Sequence, residues 1–340
     1  MTAVDPVTNV LATTSSAAFS ASSTSLRPTL WCNGGFDGPA LDLLQESTAH
    51  YNLVLDGKPE SLAEADIAFG QPDEMIVLSS PRLQWVHLTS AGYTRYDRDD
   101  LRHALQKRGA TLTNSSHVFD EPCAQHAFAF MLSLARQLPQ ALHLQQTDRA
   151  WKSGTLRGDS FLLNGQTIVF LGYGAIGRRL AELLQPLNMR VIAVRRSASS
   201  PGEDNGVEII GEDKVAEALG QADHVMNILP ESPSTRGFVS AERLAQCKPG
   251  AFFYNIGRGA TVDQAALISF LQSGQIGAAY LDVTTPEPLT PTDPLWSAPN
   301  CFITPHSAGG HRGESERLVR HFLKNLAAWE SSRALMDRVF

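Results

Sequence analysis

The sequence predicts an α/β protein of two Rossmann-like lobes, each a doubly wound parallel sheet, with a cleft between them. Three observations predict it. Short apolar strand patterns alternate with helical ones along most of the chain, as in parallel βαβ units. A glycine-rich turn, Gly172-Tyr-Gly-Ala-Ile-Gly177, follows one of these strands and opens a helix. The chain has 340 residues, enough for two separate cores.

The elements follow in order. Residues 1–26 are rich in Ser, Thr and Ala and carry no basic residue. A secretory signal starts basic and a transit peptide carries several Arg, so this stretch reads as a disordered arm. Thr29–Cys32 and Tyr51–Leu55 read as strands around a helix at Pro39–Glu46. Ala65–Phe69, Leu83–Leu88 and Ala110–Asn114 read as three more strands, with a helix at Arg98–Lys107. Ala124–Leu138 is apolar on most faces and is expected to be a buried helix. A polar stretch, Gln145–Ser160, separates it from a second series.

That series has strands at Gln166–Leu171, Arg190–Val194, Val207–Ile210, His224–Leu229, Ala251–Asn255, Gly277–Asp282 and Cys301–Thr304. The last helix, Gly313–Arg333, sets Leu318, Phe322, Leu326 and Trp329 on one face. It is expected to pack back on the first lobe. The first domain is then discontinuous, residues 27–118 plus 310–340. Residues 119–309 form the dinucleotide-binding domain, with hinges near Phe119 and Gly309.

Composition excludes several functions. The net charge is −7, against a general nucleic-acid binder, which needs a basic face. Cys32, Cys123, Cys247 and Cys301 form no CxxC pair, so neither a metal site nor a disulfide framework is expected, and a reducing cytoplasm fits. No apolar run reaches the ~18–20 residues of a membrane span.

The glycine turn carries the first chemistry. Gly172 permits a tight turn, Gly174 lets backbone approach a pyrophosphate, and Gly177 lets the helix press on the sheet. The helix N-terminus, at Ala175 and Ile176, offers N–H groups and a partial positive charge to phosphates. The next strand ends in Val194-Arg-Arg-Ser197. A binder of NAD usually has a carboxylate there for the ribose 2′-hydroxyl. Arg195, Arg196 and Ser197 suit a 2′-phosphate instead, and no carboxylate is expected beside them to repel it. NADP(H) is therefore preferred. The alternative is two solvated arginines with NAD(H) tolerated.

Three further residues follow predicted strands of the same sheet: Arg258 in Asn255-Ile-Gly-Arg-Gly259, Glu287 in Thr285-Pro-Glu-Pro288, and His306 in Thr304-Pro-His306. Open α/β sheets place ligands at those strand ends. An imidazole can both give and take a proton near neutrality. A carboxylate on its far nitrogen fixes the tautomer. An arginine can bind a substrate carboxylate and polarise a carbonyl. Each of the three alone is a weak signal.

The chain resembles the D-isomer-specific 2-hydroxyacid dehydrogenase family. Matching stretches are Gly172–Gly177, Leu229-Pro-Glu-Ser-Pro-Ser-Thr-Arg-Gly237, Lys248–Gly259, Asp263–Leu267, Leu281-Asp-Val283, Pro286–Leu289 and Thr304–His306. The resemblance implies NAD(P)-dependent oxidoreduction of a small 2-oxo or 2-hydroxy acid, two lobes, and usually a homodimer. It implies that Arg258, Glu287 and His306 are catalytic. It implies that Asp282, with the Ile256 backbone, holds the nicotinamide carboxamide, and that Leu229 and Pro230 flank the adenosine. Ser90-Ala-Gly92 matches the loop whose N–H groups receive the substrate carboxylate. Trp151 falls in the dimer-arm region, where some relatives reach the partner's active site.

Departures are Gly92-Tyr-Thr94 in place of the usual Gly-Val-Asp, Gln125 where Glu is common, and His311 for a frequent Thr. Glu287 is Gln in the formate branch, so formate is disfavoured. No regulatory domain of the phosphoglycerate dehydrogenase kind is expected after the last helix. The expected activity is reduction of a glyoxylate- or hydroxypyruvate-type acid. The alternatives are a phosphonate or phosphorylated hydroxy acid substrate, or a nucleotide-gated corepressor-like binding module.

Overall fold

The computed structural model describes residues 27–196 and 202–340. The expected arm at 1–26 and the candidate Ser197 lie outside the described residues. Strands β1 (Thr29–Cys32), β2 (Asn52–Val54), β3 (Ile67–Gly70), β4 (Trp85–Leu88) and β5 (Thr111–Thr113) form one parallel sheet in the order β2-β1-β3-β4-β5. A second sheet contains β6 (Thr167–Leu171), β7 (Arg190–Val194), β8 (Gly202–Asp204), β9 (Val207–Ile210), β10 (His224–Asn227), β11 (Ala251–Asn255), β12 (Ile276–Leu281) and β13 (Cys301–Ile303). Its order is β13-β12-β11-β10-β6-β7-β9-β8. Every pairing is parallel except β8 with β9.

This order places the site. From β6 the chain winds outward through β7, then returns to the other side of β6 as β10, so the winding reverses between β6 and β10. Open sheets hold ligands at such a reversal, outside the carboxyl ends of the strands. Leu171 pairs with Val194 and Asn227, Asn227 with Asn255, and Asn255 with Leu281. The segments carrying Gly172, Arg195, Leu229, Arg258 and Asp282 therefore leave the sheet along one edge.

The strand β8 was not visible as a sequence pattern. Its three residues, Gly-Glu-Asp, are polar and mostly exposed, so no apolar alternation announces it. What makes it is the turn Asn205-Gly206, with both residues at positive φ, 52° and 81°. That is the requirement of a two-residue hairpin turn, and Asn-Gly is its preferred dipeptide. The dipeptide was the available signal.

The buried helix also differs from expectation. It runs Ser116–Ala135, with Pro122 inside. Proline removes one helical hydrogen bond, to the Val118 carbonyl. Packing overrides that loss, because Val118, Cys123, Ala124, Ala127 and Met131 are all buried. The helix stops at Ala135 because Gln137 takes a left-handed φ of 54° ahead of a new helix, Leu138–Gln146. The polar stretch beyond it holds a further helix, Ser153–Asp159.

The C-terminal helix, Glu314–Glu330, packs on the first sheet. Phe322 stacks on Phe69 at 4.2 Å and on Trp85 at 5.2 Å between ring centroids. Leu318, Val319 and Leu326 are buried with it. Each such side chain contributes about 1.5–3 kcal/mol when fully buried. The tail then runs along β5: the Leu112 N–H donates to the Phe340 carbonyl at 3.0 Å, and the Val339 N–H to the Leu112 carbonyl at 2.9 Å. This covers an edge that would otherwise offer unpaired backbone groups. The chain thus passes between the sheets at 116–135 and again at 304–313. The two passages touch, since a Cβ on Gly309 would lie 3.0 Å from the Phe119 ring.

Candidate active site

The glycine turn has the shape a dinucleotide needs. Gly172 has φ +93°, and a Cβ there would meet the Ile228 carbonyl oxygen at 3.2 Å. Gly177 faces Tyr173 at 3.1 Å and the Gly172 carbonyl at 3.5 Å, so a side chain would push the helix off the turn. Among the described residues, nothing beyond its own chain neighbours lies within 4 Å of a Cβ built on Gly174, so packing there does not explain it. A side chain there would occupy the space above the N-terminus of helix Ala175–Leu184. That space is where a pyrophosphate meets the helix N–H groups. The residues present therefore fit a dinucleotide.

The 2′-reader region holds a surprise. Arg195 follows β7, and its Nη2 lies 3.4 Å from Oδ2 of Asp204. Arg178 contacts the same oxygen. The expectation of no carboxylate near the arginines is thus overturned. Asp204 is nine residues along the chain and arrives on the β8 hairpin. Arg196 donates to the Ser234 hydroxyl at 3.0 Å and lines the cleft between the lobes.

That cleft measures about 240 Å³. Ala91, Gly92 and Tyr93 line it from the first lobe, and Leu229, Pro230 and Arg258 from the second. A Cβ on Gly92 would fall 2.1 Å from Nη2 of Arg258, so only glycine lets this guanidinium close on the loop. The carbonyls of the loop are engaged within the chain. Ser90 accepts from the Ser115 N–H at 3.0 Å, Ala91 from Asn114 Nδ2 at 2.7 Å, and Gly92 from the Ser90 hydroxyl at 2.6 Å. The departure at Tyr93-Thr94 lies on the cleft wall.

The turn of Arg258 is over-determined. Gly257 would place a Cβ 2.6 Å from the Leu229 carbonyl oxygen, and Gly259 one 1.9 Å from the Thr284 carbonyl oxygen. The flanking glycines are thus required by backbone crossing on both sides. Asn227 Nδ2 donates to Asn255 Oδ1 at 2.9 Å and to the Thr261 hydroxyl at 2.7 Å. Asn255 Nδ2 and the Thr261 hydroxyl then donate to the Arg258 carbonyl. Ile256 is buried, with its N–H on the Asn227 carbonyl at 3.1 Å.

His306 and Glu287 form a pair, with Nδ1 of the ring 2.8 Å from Oε2 of the carboxylate. The other carboxylate oxygen accepts from the Thr284 N–H at 3.0 Å. Nδ1 being engaged, Nε2 is the nitrogen left to a substrate. His306 sits at φ +50°, a left-handed conformation uncommon outside glycine. Asp282, 3% exposed, fixes it. Its Oδ1 accepts from the Thr304 hydroxyl at 2.5 Å and the Ser307 N–H at 2.9 Å, and Oδ2 from the Ala308 N–H at 3.1 Å. Tyr280 and His126 complete the cluster through the Thr304 hydroxyl, at 2.6 and 3.3 Å. Sequence reasoning missed Thr304, Tyr280 and His126, whose roles depend on contacts between distant segments. Gln125 donates to Glu121, itself paired with Arg179, so the departure there is absorbed by a surface network.

Asp282, Glu287 and His306 also line a second cavity of about 400 Å³, with Leu289 and Trp296. Among the described residues, no group of three or more His, Cys, Asp or Glu is placed to hold a metal ion. Among the described residues, no helix is long and apolar enough to cross a membrane.

Residues 128–308 match the family model of the D-isomer specific 2-hydroxyacid dehydrogenase NAD-binding domain. The chain belongs to this family. It is 30% identical over 288 residues to a glyoxylate reductase of Aeropyrum pernix, covering 83% of this chain and 84% of that one. Its fold matches the D-isomer specific 2-hydroxyacid dehydrogenase of Xanthobacter autotrophicus solved with NADPH and MES. That match has a TM-score of 0.77 at 26% identity, over 93% of this chain and 98% of that chain. A similar match is the NADPH-dependent glyoxylate/hydroxypyruvate reductase of Sinorhizobium meliloti with NADP and malonate, at TM-score 0.69 and 26% identity, covering 92% and 97%. This D-2-hydroxyacid dehydrogenase is thus an oxidoreductase acting on a CH–OH group with NAD(P).

Proposed function

We propose that this enzyme reduces a small 2-oxo acid of the glyoxylate or hydroxypyruvate type to the D-2-hydroxy acid, with NADPH preferred and NADH accepted. The observation that carries the reading is the His306–Glu287 pair at 2.8 Å, together with Arg258 packed on the Gly92 loop. A nicotinamide cofactor bound on the glycine turn supplies the hydride. His306 gives its proton from Nε2 to the C2 oxygen in reduction and takes it back in oxidation. Glu287 holds the ring in the orientation and tautomer this requires. Arg258 and the N–H groups of Ser90, Ala91 and Gly92 hold the substrate carboxylate. Arg258 also faces the negative charge that develops on the C2 oxygen.

Gly172, Gly174, Ala175, Ile176 and Gly177 cradle the pyrophosphate. Leu229 and Pro230 flank the adenosine, and Asp282 with the Ile256 backbone holds the carboxamide. Arg195, Arg196 and Ser197 read the 2′-phosphate. Residues 27–118 with 310–340 act as the substrate domain and 119–309 as the dinucleotide domain, hinged near Phe119 and Gly309. A homodimer in the cytoplasm completes the reading. Its support is Trp151, 95% exposed, on a segment that also exposes Leu138, Leu142 and Leu162. A phosphorylated substrate is less favoured, because Arg98 pairs with Asp100 and Arg102 with Asp97, while Arg95 donates to the Gln71 side chain and the Tyr96 hydroxyl.

The test is initial rates of NADPH and NADH oxidation with glyoxylate, hydroxypyruvate, pyruvate and bulkier 2-oxo acids. NADPH-linked turnover of glyoxylate and hydroxypyruvate, lowered ~10²–10⁴-fold in His306→Ala, is expected. Faster turnover with NADH would end the cofactor preference and leave the chemistry. Absence of turnover on every 2-oxo acid, with cofactor bound, would end the substrate assignment.

A further inference from the structure

The end of β7 gathers one aromatic ring and three charged groups from four segments. Tyr173 comes from the glycine turn, Arg178 from the helix it opens, Arg195 from the end of β7 and Asp204 from the β8 hairpin. The guanidinium carbons of Arg178 and Arg195 lie 4.9 and 5.1 Å from the Tyr173 ring centroid. Oδ2 of Asp204 faces both, contacting Nη1 of Arg178 and lying 3.4 Å from Nη2 of Arg195. One carboxylate thus holds two arginines over one ring.

The position of this cluster gives it meaning. Val194, the last residue of β7, pairs with Leu171, which immediately precedes the glycine turn. A dinucleotide on that turn places its adenosine ribose beside the end of β7, where the fold usually carries its ribose reader. In most NAD binders a carboxylate there accepts from the 2′-hydroxyl. Here β7 ends in arginines, yet a carboxylate still arrives, from an edge hairpin. The hairpin does little else, since Gly202 and Glu203 are exposed and add nothing to the core. The Asn205-Gly206 turn fixes Asp204 directly opposite Val207.

We propose that Asp204 is a cofactor-selecting residue that limits the preference for NADPH over NADH. The inference rests on the reading that the turn binds NADPH and NADH with the former preferred. Asp204 acts in two ways. It engages Arg195 and Arg178, so less of their charge is directed at a 2′-phosphate. It also places negative charge where that phosphate sits, and an acceptor where a 2′-hydroxyl sits. Removing the charge strengthens binding of the phosphorylated cofactor and weakens binding of the other. Removing a cation does the reverse.

The experiment compares wild type, Asp204→Asn and Arg178→Gln in kcat/KM for NADPH and NADH. Calorimetric binding of 2′,5′-ADP and 5′-AMP gives the same comparison without turnover. Asp204→Asn keeps the size and one acceptor oxygen and leaves the Asn205-Gly206 turn untouched, so the hairpin is preserved. Its NADPH/NADH ratio is expected to rise about tenfold, through KM for the cofactor, with kcat at saturation unchanged. Arg178→Gln is expected to lower the ratio. A ratio that stays put or falls in Asp204→Asn overturns the proposal. So does a loss of kcat with both cofactors alike, which marks a structural role. The underlying reading fails separately: it falls if wild type binds 2′,5′-ADP no better than 5′-AMP and Arg196→Ala changes neither.

Discussion

The two lobes bury polar side chains to different ends. In the first, His87 lies in the middle of the sheet, with Nδ1 2.7 Å from the Thr113 hydroxyl and Nε2 3.3 Å from the Ser115 hydroxyl. Asn325 exchanges hydrogen bonds with the backbone of Met336, and His321 pairs with Asp337 at 3.1 Å. These groups fasten the last helix and the tail to the sheet. In the second lobe, Asn227, Asn255 and Asp282 stand at the carboxyl ends of strands, Thr261 lies on the turn that follows Arg258, and their bonds end on the turns of Arg258 and His306. Burial of a polar group therefore does not mark a site by itself. What marks it is the strand end and a bond that terminates on a chemically competent turn.

The comparison breaks most readily at Arg258. Arg258→Lys keeps a positive charge but loses the planar fork that a carboxylate can meet with two bonds. We expect kcat/KM for the 2-oxo acid to fall ~10²–10³-fold, the range found for removal of a group that stabilises developing negative charge. Steady-state kinetics with saturating NADPH measure it. A fall of less than threefold would show that the turn held by Asn227 and Asn255 is as structural as the His87 network.

Much of this was legible in the chain. Strand ends at Cys32, Val194, Ile210 and Asn255 were read where they occur, because short apolar runs rich in aromatic or β-branched residues stop there. Gly257 and Gly259 read only as spacing around Arg258. Their cause is the backbone of Leu229 and Thr284, which no local pattern reports. Asp204 was invisible for a similar reason: its partners lie nine and 26 residues away, on other elements. The helix start at Ser116 was hidden by Pro122, whose local cost is offset by burial on both sides of it. Local chemistry shows in a sequence, whereas crossings of backbone and long-range charge pairs do not.

A smaller effect is expected at Glu287. Glu287→Gln keeps one oxygen, which can still accept from Nδ1 of His306, and puts an amide NH2 where the other oxygen accepts from the Thr284 N–H, so it removes the charge and that backbone contact. Proton transfer then proceeds with the ring held but its positive form less well matched, and we expect kcat to fall roughly tenfold, about 1.4 kcal/mol of barrier. KM for the cofactor is expected to stay put, because Glu287 itself makes none of the proposed cofactor contacts. A kcat equal to wild type would remove Glu287 from the proton-transfer unit and leave it a loop residue.

The smallest effect on activity, and a distinct one on stability, belongs to His87. Burial drives its pKa down from 6.5 to about 3, with the nearby His321 pushing the same way and Asp337 opposing. The imidazole is therefore neutral in the folded protein, while the unfolded chain binds a proton once the pH drops below about 6.5. Since the unfolded state takes up the extra proton, stability is full above pH 6.5 and is lost as the pH falls from there toward 3. Between pH 7.5 and 5 this one group costs about 2 kcal/mol. His224 is also buried, with its pKa lowered to about 4, and adds loss over an overlapping window. His87→Phe removes the first contribution alone. The two hydroxyls keep partners, since Thr113 still accepts from the Trp85 indole N–H at 2.9 Å and Ser115 still donates to the Leu88 carbonyl at 2.7 Å. The phenyl ring enters an aromatic neighbourhood of Phe69, Trp85 and Phe322. At pH 7.5 the variant should match wild type in turnover and differ in stability by no more than about 1–3 kcal/mol. Urea unfolding at the two pH values should show it losing about 2 kcal/mol less than wild type. Parallel losses in the two proteins would mean that His87 is protonated in the fold, and that the first lobe's network carries charge as the second lobe's does.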